Sequence, residues 1–350
     1  MFKHLDSKSF PIIKQIILFY LIFLVICLTS CDSQREYIIS GITMGTTYQI
    51  KYYAGLFFKQ QKLKKEIKEQ LEKINHSMST FDPKSEISQF NKMQDIKKII
   101  SISDDFYEVL IQAKQLYKIS NGAWDGTVKP LVNLWGFGNT SHKQEKPDQV
   151  EIQKILDTVG FNKIIIEDHS IQKKNPGIQL NLASIAKGFG VDMVAKVLDS
   201  NNVENYLVEI GGEVYGRGKK INGKPWRVGI NSPKVQSALN DVYYAIELKN
   251  KAIATSGDYR NYFIDDKKRY SHVIDPKTGY PVNNKVVSVS VISNTCTLAD
   301  GLATALMVMG AEKAIALVNK LPDTECFIIK ENKSGDGFDH FYSDFFPREQ

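Results

Sequence analysis

Tyr206-Leu207-Val208-Glu209-Ile210, Trp226-Arg227-Val228-Gly229-Ile230 and residues 242–248 are three β-rich runs that follow one another with no helical periodicity between them. Runs this short and this closely spaced predict hairpin neighbours rather than parallel strands joined by crossover helices. Working outward, further runs of the same texture occupy residues 163–167, 178–182, 286–292 and 325–329. Two helices interrupt them, near residues 184–200 and 297–320. Towards the N-terminus, Thr46-Thr47-Tyr48-Gln49-Ile50-Lys51-Tyr52 alternates as a strand does. Leu63, Ile67, Leu71, Ile74 and Met78 then recur at helical spacing. A second helix starts after the cap Ser103, presents Phe106, Val109, Leu110, Ala113 and Tyr117, and stops at Gly122; a third spans residues 148–160. The mixture predicts an α+β fold of mixed sheets with packed helices. No linker, repeat or low-complexity tract divides residues 37–350, which therefore form a single domain of one or two lobes.

Composition sets wide bounds. The chain has 350 residues, 43% of them hydrophobic and 24% charged, which excludes a disordered or fibrous protein. The net charge of +6 is spread along the chain and points to solubility, not to nucleic acid. Four cysteines are too few for a disulfide-built scaffold.

The first thirty residues read separately. Lys3, Lys8 and Lys14 precede an unbroken apolar run over residues 16–28. A membrane-spanning helix needs about 20 such residues, an export-signal core roughly 7–15. The run ends in Leu28-Thr29-Ser30-Cys31, which resembles a bacterial lipobox. Residues 1–30 are therefore expected to be a lipoprotein signal peptide and residues 31–350 the functional domain. Cys31 would carry the lipid, placing an exported protein on a bacterial membrane, facing the periplasm or the cell exterior. An uncleaved N-terminal anchor is the alternative. Removing residues 1–30 takes away three lysines and one aspartate, so +6 becomes +4. Cys296 and Cys326 then remain, and in an exported protein they are free either to pair or to stay apart.

Several segments carry candidate chemistry. In Leu180-Asn181-Leu182-Ala183-Ser184-Ile185-Ala186-Lys187-Gly188 a strand ends and a helix begins, with Ser184 in capping position. A helix N-terminus with a nearby lysine suits an anion; an ordinary helix start with a solvated lysine fits equally well. Asp300 and Thr304 lie four apart, on one face of an otherwise apolar helix. A carboxylate there must be paired or metal-bound, and carboxylate plus hydroxyl suits a hard cation such as Mg²⁺. A structural acid remains open. His272 stands in Ser271-His272-Val273-Ile274-Asp275-Pro276, and its imidazole suits proton transfer near neutrality. A structural histidine fits these residues equally well, and Asp258 is the second candidate for that proton. No nucleophile elbow, phosphate-binding Walker loop, H-E-x-x-H or cysteine zinc spacing occurs, which removes most hydrolase and zinc-enzyme readings.

In their order, these segments resemble the FAD:protein FMN transferase (ApbE) family over essentially the whole chain beyond the signal. The matching stretches begin with Met44-Gly45-Thr46-Thr47, Trp124-Asp125-Gly126-Thr127-Val128 and residues 183–188. They continue through Glu209-Ile210-Gly211-Gly212, Ala254-Thr255-Ser256-Gly257-Asp258-Tyr259-Arg260, residues 271–279 and residues 300–304. The resemblance implies Mg²⁺-dependent transfer of FMN from FAD to a Ser or Thr hydroxyl of a target flavoprotein, such as a subunit of a membrane redox complex, with release of AMP. It implies flavin contacts at Met44, Phe81, Ala123, Trp124, Asp125, Asn181, Lys187 and Ile274, and metal contacts at Ser184, Asp300 and Thr304. Asn181 stands where the family often has Asp, Ser184 where Ala is frequent, and Phe81 where Tyr is usual. Two rivals share the site: an FAD pyrophosphatase, with water as acceptor, and a non-catalytic FAD-binding lipoprotein.

Overall fold

A computed structural model describes Gln15 and residues 34–138, 144–233, 242–258, 261–266 and 268–348. The apolar run at residues 16–28 and the tetrad ending at Cys31 lie outside the described residues.

The chain opens with a hairpin of β1 (Arg35–Thr43) and β2 (Thr46–Ala54), then helices α1 (Gln60–Met78) and α2 (Glu86–Lys92), the short β3 (Ile100–Ser101) and α3 (Asp104–Ile119). Leu63, Ile67, Leu71, Ile74 and Met78 all turn inward on α1, as their spacing predicts, and Ser103 caps α3 by accepting the Phe106 N–H. Next come α4 (Lys129–Leu134), α5 (Gln149–Leu156), β4 (Ile164–Glu167), β5 (Ser170–Lys173) and α6 (Ala183–Ser200). The remainder is β6 (Tyr206–Ile210), β7 (Glu213–Arg217), β8 (Trp226–Asn231), β9 (Val242–Leu248), β10 (Lys251–Gly257), β11 (Tyr262–Asp265), β12 (Lys268–Ser271), β13 (Val286–Ser293), α7 (Cys296–Met309), α8 (Ala311–Val318), β14 (Glu325–Glu331) and β15 (Phe338–Tyr342).

Eight strands form one antiparallel sheet in the order β1-β2-β6-β7-β10-β13-β14-β15. β13, near its middle, is buried at all eight positions because apolar layers cover both faces. Helices α1, α3, α6 and α7 pack their apolar stripes on one face and form the large core. The β8–β9 ribbon covers the other through Trp226, Ile230, Ile246 and Leu248. A third, much smaller core lies apart: Leu131, Leu134, Trp135, Ile152, Val159, Phe263 and Ile274 join α4, α5 and the β11–β12 hairpin.

Three expectations change. Residues 178–182 belong to no sheet; the Asn91 side chain accepts the Leu180 N–H and donates to the Leu180 carbonyl, as a strand neighbour would. The single helix expected over residues 297–320 is broken into α7 and α8 at Gly310, whose φ is +78°. Ser184 is not a cap: it lies within the first turn of α6, and Asn181 Oδ1 accepts the Ala183 N–H at 2.9 Å instead. Cys296 and Cys326 are both free and buried.

Candidate active site

A cavity of about 430 Å³ opens between the large core and the small one, within the usual size of small-molecule sites, about 300–1,000 Å³. One wall comes from α6, α7, β7 and β10, which contribute Ser184, Lys187, Glu213, Ser256, Asp300 and Thr304. The opposite wall carries Val128, Val132, Phe137, His272 and Ile274.

Packing between α6 and α7 creates the first wall. At Gly188 a Cβ would lie 2.3 Å from the Cys296 carbonyl oxygen and 2.8 Å from Asp300 Cβ, so only glycine permits this crossing. The two helices then exchange acids. Asp192 of α6 accepts the N–H groups of Cys296 and Thr297 at the start of α7, each at 2.8 Å. Asp300 of α7 accepts the Gly188 N–H of α6 at 3.0 Å. In a regular helix that N–H would point at the Ser184 carbonyl. Asp300 thus reaches across to the first turns of α6, where Ser184 lines the cavity.

Lys187 contacts Glu213, and its Nζ stands 4.0 Å from Asp300 Oδ1. Both acids are 3% exposed. Burial, then the Asp300 charge, pushes Glu213 up to about 8, against the pull of Lys187. Burial works against the Lys187 ammonium too, but Asp300 and Glu213 outweigh it and raise its pKa. A neutral Glu213 would withdraw one of the two negative charges that hold Lys187 protonated. The direct contact, which an ionised pair satisfies best, decides for carboxylate and ammonium. Burial also raises Asp300, with Lys187 and the Gly188 N–H opposing it. Thr304 Oγ1 shares a hydrogen bond of 3.0 Å with Ser256 Oγ.

The oxygens that Asp300, Thr304 and Ser184 bring to this wall are hard donors, and Glu213, whose carboxylate is held by Lys187, keeps one buried oxygen without a hydrogen-bond partner. That set fits Mg²⁺, which takes oxygen ligands and keeps few from protein. Among the described residues no group of three His, Cys, Asp or Glu gathers for a metal. The anion site expected at the α6 N-terminus is mostly closed. Asn181 takes the Ala183 N–H, and the Leu182 carbonyl accepts the N–H groups of Ile185 at 3.0 Å and Ala186 at 2.8 Å.

Across the cavity, the His272 backbone N–H and its Nδ1 both lie 3.1 Å from the Asn261 carbonyl. A carbonyl only accepts, so Nδ1 carries the proton and Nε2 of the neutral ring keeps its lone pair. Burial first lowers the His272 pKa; the Asn261 carbonyl opposes and Arg269 reinforces that shift. Asp258 is 6% exposed and does not line the cavity. Arg269 Nη2 reaches its backbone carbonyl at 2.9 Å and its Oδ1 at 3.3 Å, tying β10 to the hairpin that carries His272.

The other flavin candidates divide. Ala123, Trp124, Asp125, Asn181, Lys187 and Ile274 line the cavity, whereas Met44 and Phe81 do not. Phe81 is 79% exposed, and Met44, in the β1–β2 turn at φ +50°, packs towards Gly190 of α6. Trp124 is 2% exposed and donates Nε1–H to Ser184 Oγ at 2.9 Å, so its ring offers little stacking surface. Asp125 is occupied by its own loop: it accepts from the Thr127 N–H at 2.8 Å, the Thr127 hydroxyl at 2.6 Å and the Phe161 N–H at 3.1 Å. Sequence reasoning missed Glu213. The Gly-Gly pair before it signals a tight turn with an acid at the next strand head, but nothing in sequence places that acid beside Lys187.

The ApbE family profile matches residues 44–328. The FAD:protein FMN transferase of Vibrio cholerae is 43% identical over 326 residues, covering 92% of this chain and 95% of that protein. The structure of flavin transferase ApbE from Vibrio cholerae superposes with a TM-score of 0.80 at 41% identity, covering 89% of this chain and 98% of that one. The apo flavinyl transferase ApbE of Pseudomonas stutzeri gives a TM-score of 0.80 at 34% identity, covering 89% and 95%.

Proposed function

The chain belongs to the ApbE family, and from that membership we propose that it is an FAD:protein FMN transferase. The observation that carries the reading is the pairing of two walls across one cavity: Asp300, Thr304 and Lys187 on one side, and His272 with an unprotonated Nε2 on the other.

The diphosphate of FAD is anionic, and the Lys187 ammonium gives it a fixed positive partner. Asp300, Thr304 and the Ser184 carbonyl would hold Mg²⁺, whose charge helps neutralise the diphosphate and the departing AMP. The oxygen of a target Ser or Thr bonds to the phosphorus of the FMN moiety. The P–O bond to the AMP moiety breaks, and AMP leaves with the bridging oxygen. His272 Nε2 receives the hydroxyl proton, and the Asn261 carbonyl holds the ring in the receptive tautomer. Val128, Val132 and Phe137 supply the apolar surface that a flat ring system needs.

The decisive experiment incubates the protein with FAD, Mg²⁺ and a candidate acceptor, then reads acceptor mass and AMP together. A mass gain of one FMN with AMP released only when acceptor is present is the expected result. Equal AMP release without acceptor makes water the nucleophile and the protein an FAD pyrophosphatase. Retention of intact FAD makes it a binding protein.

We also propose anchoring through a lipid on Cys31, which the lipobox-like tetrad supports. Cys31→Ala should leave the precursor unprocessed or release the protein from membranes; normal processing with membrane retention would refute the anchor.

A further inference from the structure

Lys187 has two carboxylates within reach and is bonded to only one of them. We propose that Glu213 is a positioning residue that keeps the Lys187 ammonium off Asp300, so that Asp300 Oδ1 stays open to a divalent cation. The inference rests on the reading of Asp300 as the cation ligand.

The backbone of Glu213 is placed by strand pairing and not by Lys187. Ile210 and Glu213 pair across the β6–β7 hairpin, and Gly211 and Gly212 form its turn with φ of +60° and +101°. Such a two-residue turn needs positive φ at both positions, so the Gly-Gly pair sets the register. A Cβ on Gly211 would lie 3.2 Å from Lys187 Cδ, so the turn packs against the lysine stem and directs it to Glu213. Glu213 Oε2 is buried and makes no hydrogen bond, which leaves Lys187 as the partner of this side chain.

Charge explains why the arrangement matters. Two carboxylates and one ammonium leave one net negative charge beside the cavity, which favours a cation. If Glu213 were neutral, Lys187 and Asp300 would cancel. The ammonium, on a flexible four-carbon stem, would have no stronger partner than Asp300, whose Oδ1 is 4.0 Å away. A lysine settled on that oxygen occupies the place of the cation.

The test measures Mg²⁺ binding by titration calorimetry, without FAD, in variants whose thermal midpoints show them folded. Glu213→Gln keeps the shape but removes the charge, and should weaken Mg²⁺ binding roughly tenfold or more, as expected for losing a charge partner at this range. Glu213→Asp keeps the charge but shortens the reach, and should also bind Mg²⁺ more weakly than the native protein. Adding Lys187→Met to Glu213→Gln should restore binding, because the competing ammonium is gone. Native affinity in Glu213→Gln overturns the proposal. Native affinity in Glu213→Asp reduces Glu213 to a point charge and overturns its positioning role. A folded double variant that stays weak does the same. Asp300→Asn separates the premise: if it binds Mg²⁺ like the native protein, the reading of Asp300 as ligand fails. Loss in Asp300→Asn with native binding in Glu213→Gln retains the ligand and removes the guard.

Discussion

The wall built by α6 and α7 and the wall carried by the β11–β12 hairpin face the same cavity but are supported differently. The first is set in the large core, with helices crossing at Gly188 and acids exchanged between Asp192 and Asp300. The second stands on the small core around Trp135 and Phe263, tied back to β10 by Arg269. Charge is held where the packing is deepest, because buried carboxylates need fixed partners. The proposed proton transfer falls to a histidine beside a hairpin, whose ring orientation depends on one carbonyl. Damage to the first wall should therefore reach stability and cation binding together, and damage to the second should slow transfer while leaving cation binding unchanged.

The sharpest division is expected from His272→Ala. It should lower FMN transfer by about 10²–10⁴-fold and leave FAD affinity and unfolding midpoint near native values, read by rate assay, fluorescence titration and melting. Under the proposed mechanism the proton acceptor is the neutral His272 ring, and burial lowers its pKa from the ordinary 6.5. The rate should accordingly hold through neutral pH and fall only as pH drops below about 6.5. A rate that falls already above pH 7 would assign that limb to another group.

Gly188→Ala attacks the other wall. Its methyl group would meet backbone at 2.3 Å, so the helices must separate. Urea unfolding should show a loss of about 1–3 kcal/mol or more, accompanied by weaker Mg²⁺ binding. Undiminished stability would mean that the α6–α7 crossing yields easily.

Arg269→Gln loosens the hairpin. Burial raises Asp258 to about 6 and Arg269 opposes that shift, so removing the guanidinium leaves a buried carboxylate without its cation. A cost of about 1–3 kcal/mol is expected, with slower transfer and unchanged Mg²⁺ affinity; an equal fall in both would join the two walls into one unit. Smallest is Trp124→Phe, which removes the indole donor to Ser184 Oγ at 2.9 Å. About 1 kcal/mol should be lost on thermal unfolding, since the freed hydroxyl faces the cavity and can be solvated.

The first wall was partly legible in sequence because local rules apply there. Asp300 and Thr304 share a face through helical spacing alone, and the α1 and α3 stripes follow from periodicity. Its completion was not legible, because Glu213 meets Lys187 only after a two-glycine turn returns the chain beside α6. Asp258 drew attention as a possible base through its motif, but its burial and its tie to Arg269 are properties of a hairpin folded over it. Residues 178–182 carry a strand's apolar pattern, yet the Asn91 side chain at Leu180 and the Gly126 carbonyl at the Asn181 N–H supply bonds that a neighbouring strand would have supplied. Pattern reports that a segment is extended and buried, not what completes its hydrogen bonds.

The bond from Gly188 to Asp300 joins residues 112 positions apart. Closing so long a loop is entropically costly, and contacts of such sequence separation form slowly. Neither half of the charged wall exists in a chain whose α6 and α7 have not docked. A ligand that needs Lys187 and Asp300 together therefore selects the native state over every partly folded one. Its binding energy adds in full to folding stability, in proportion to the logarithm of its concentration above its dissociation constant.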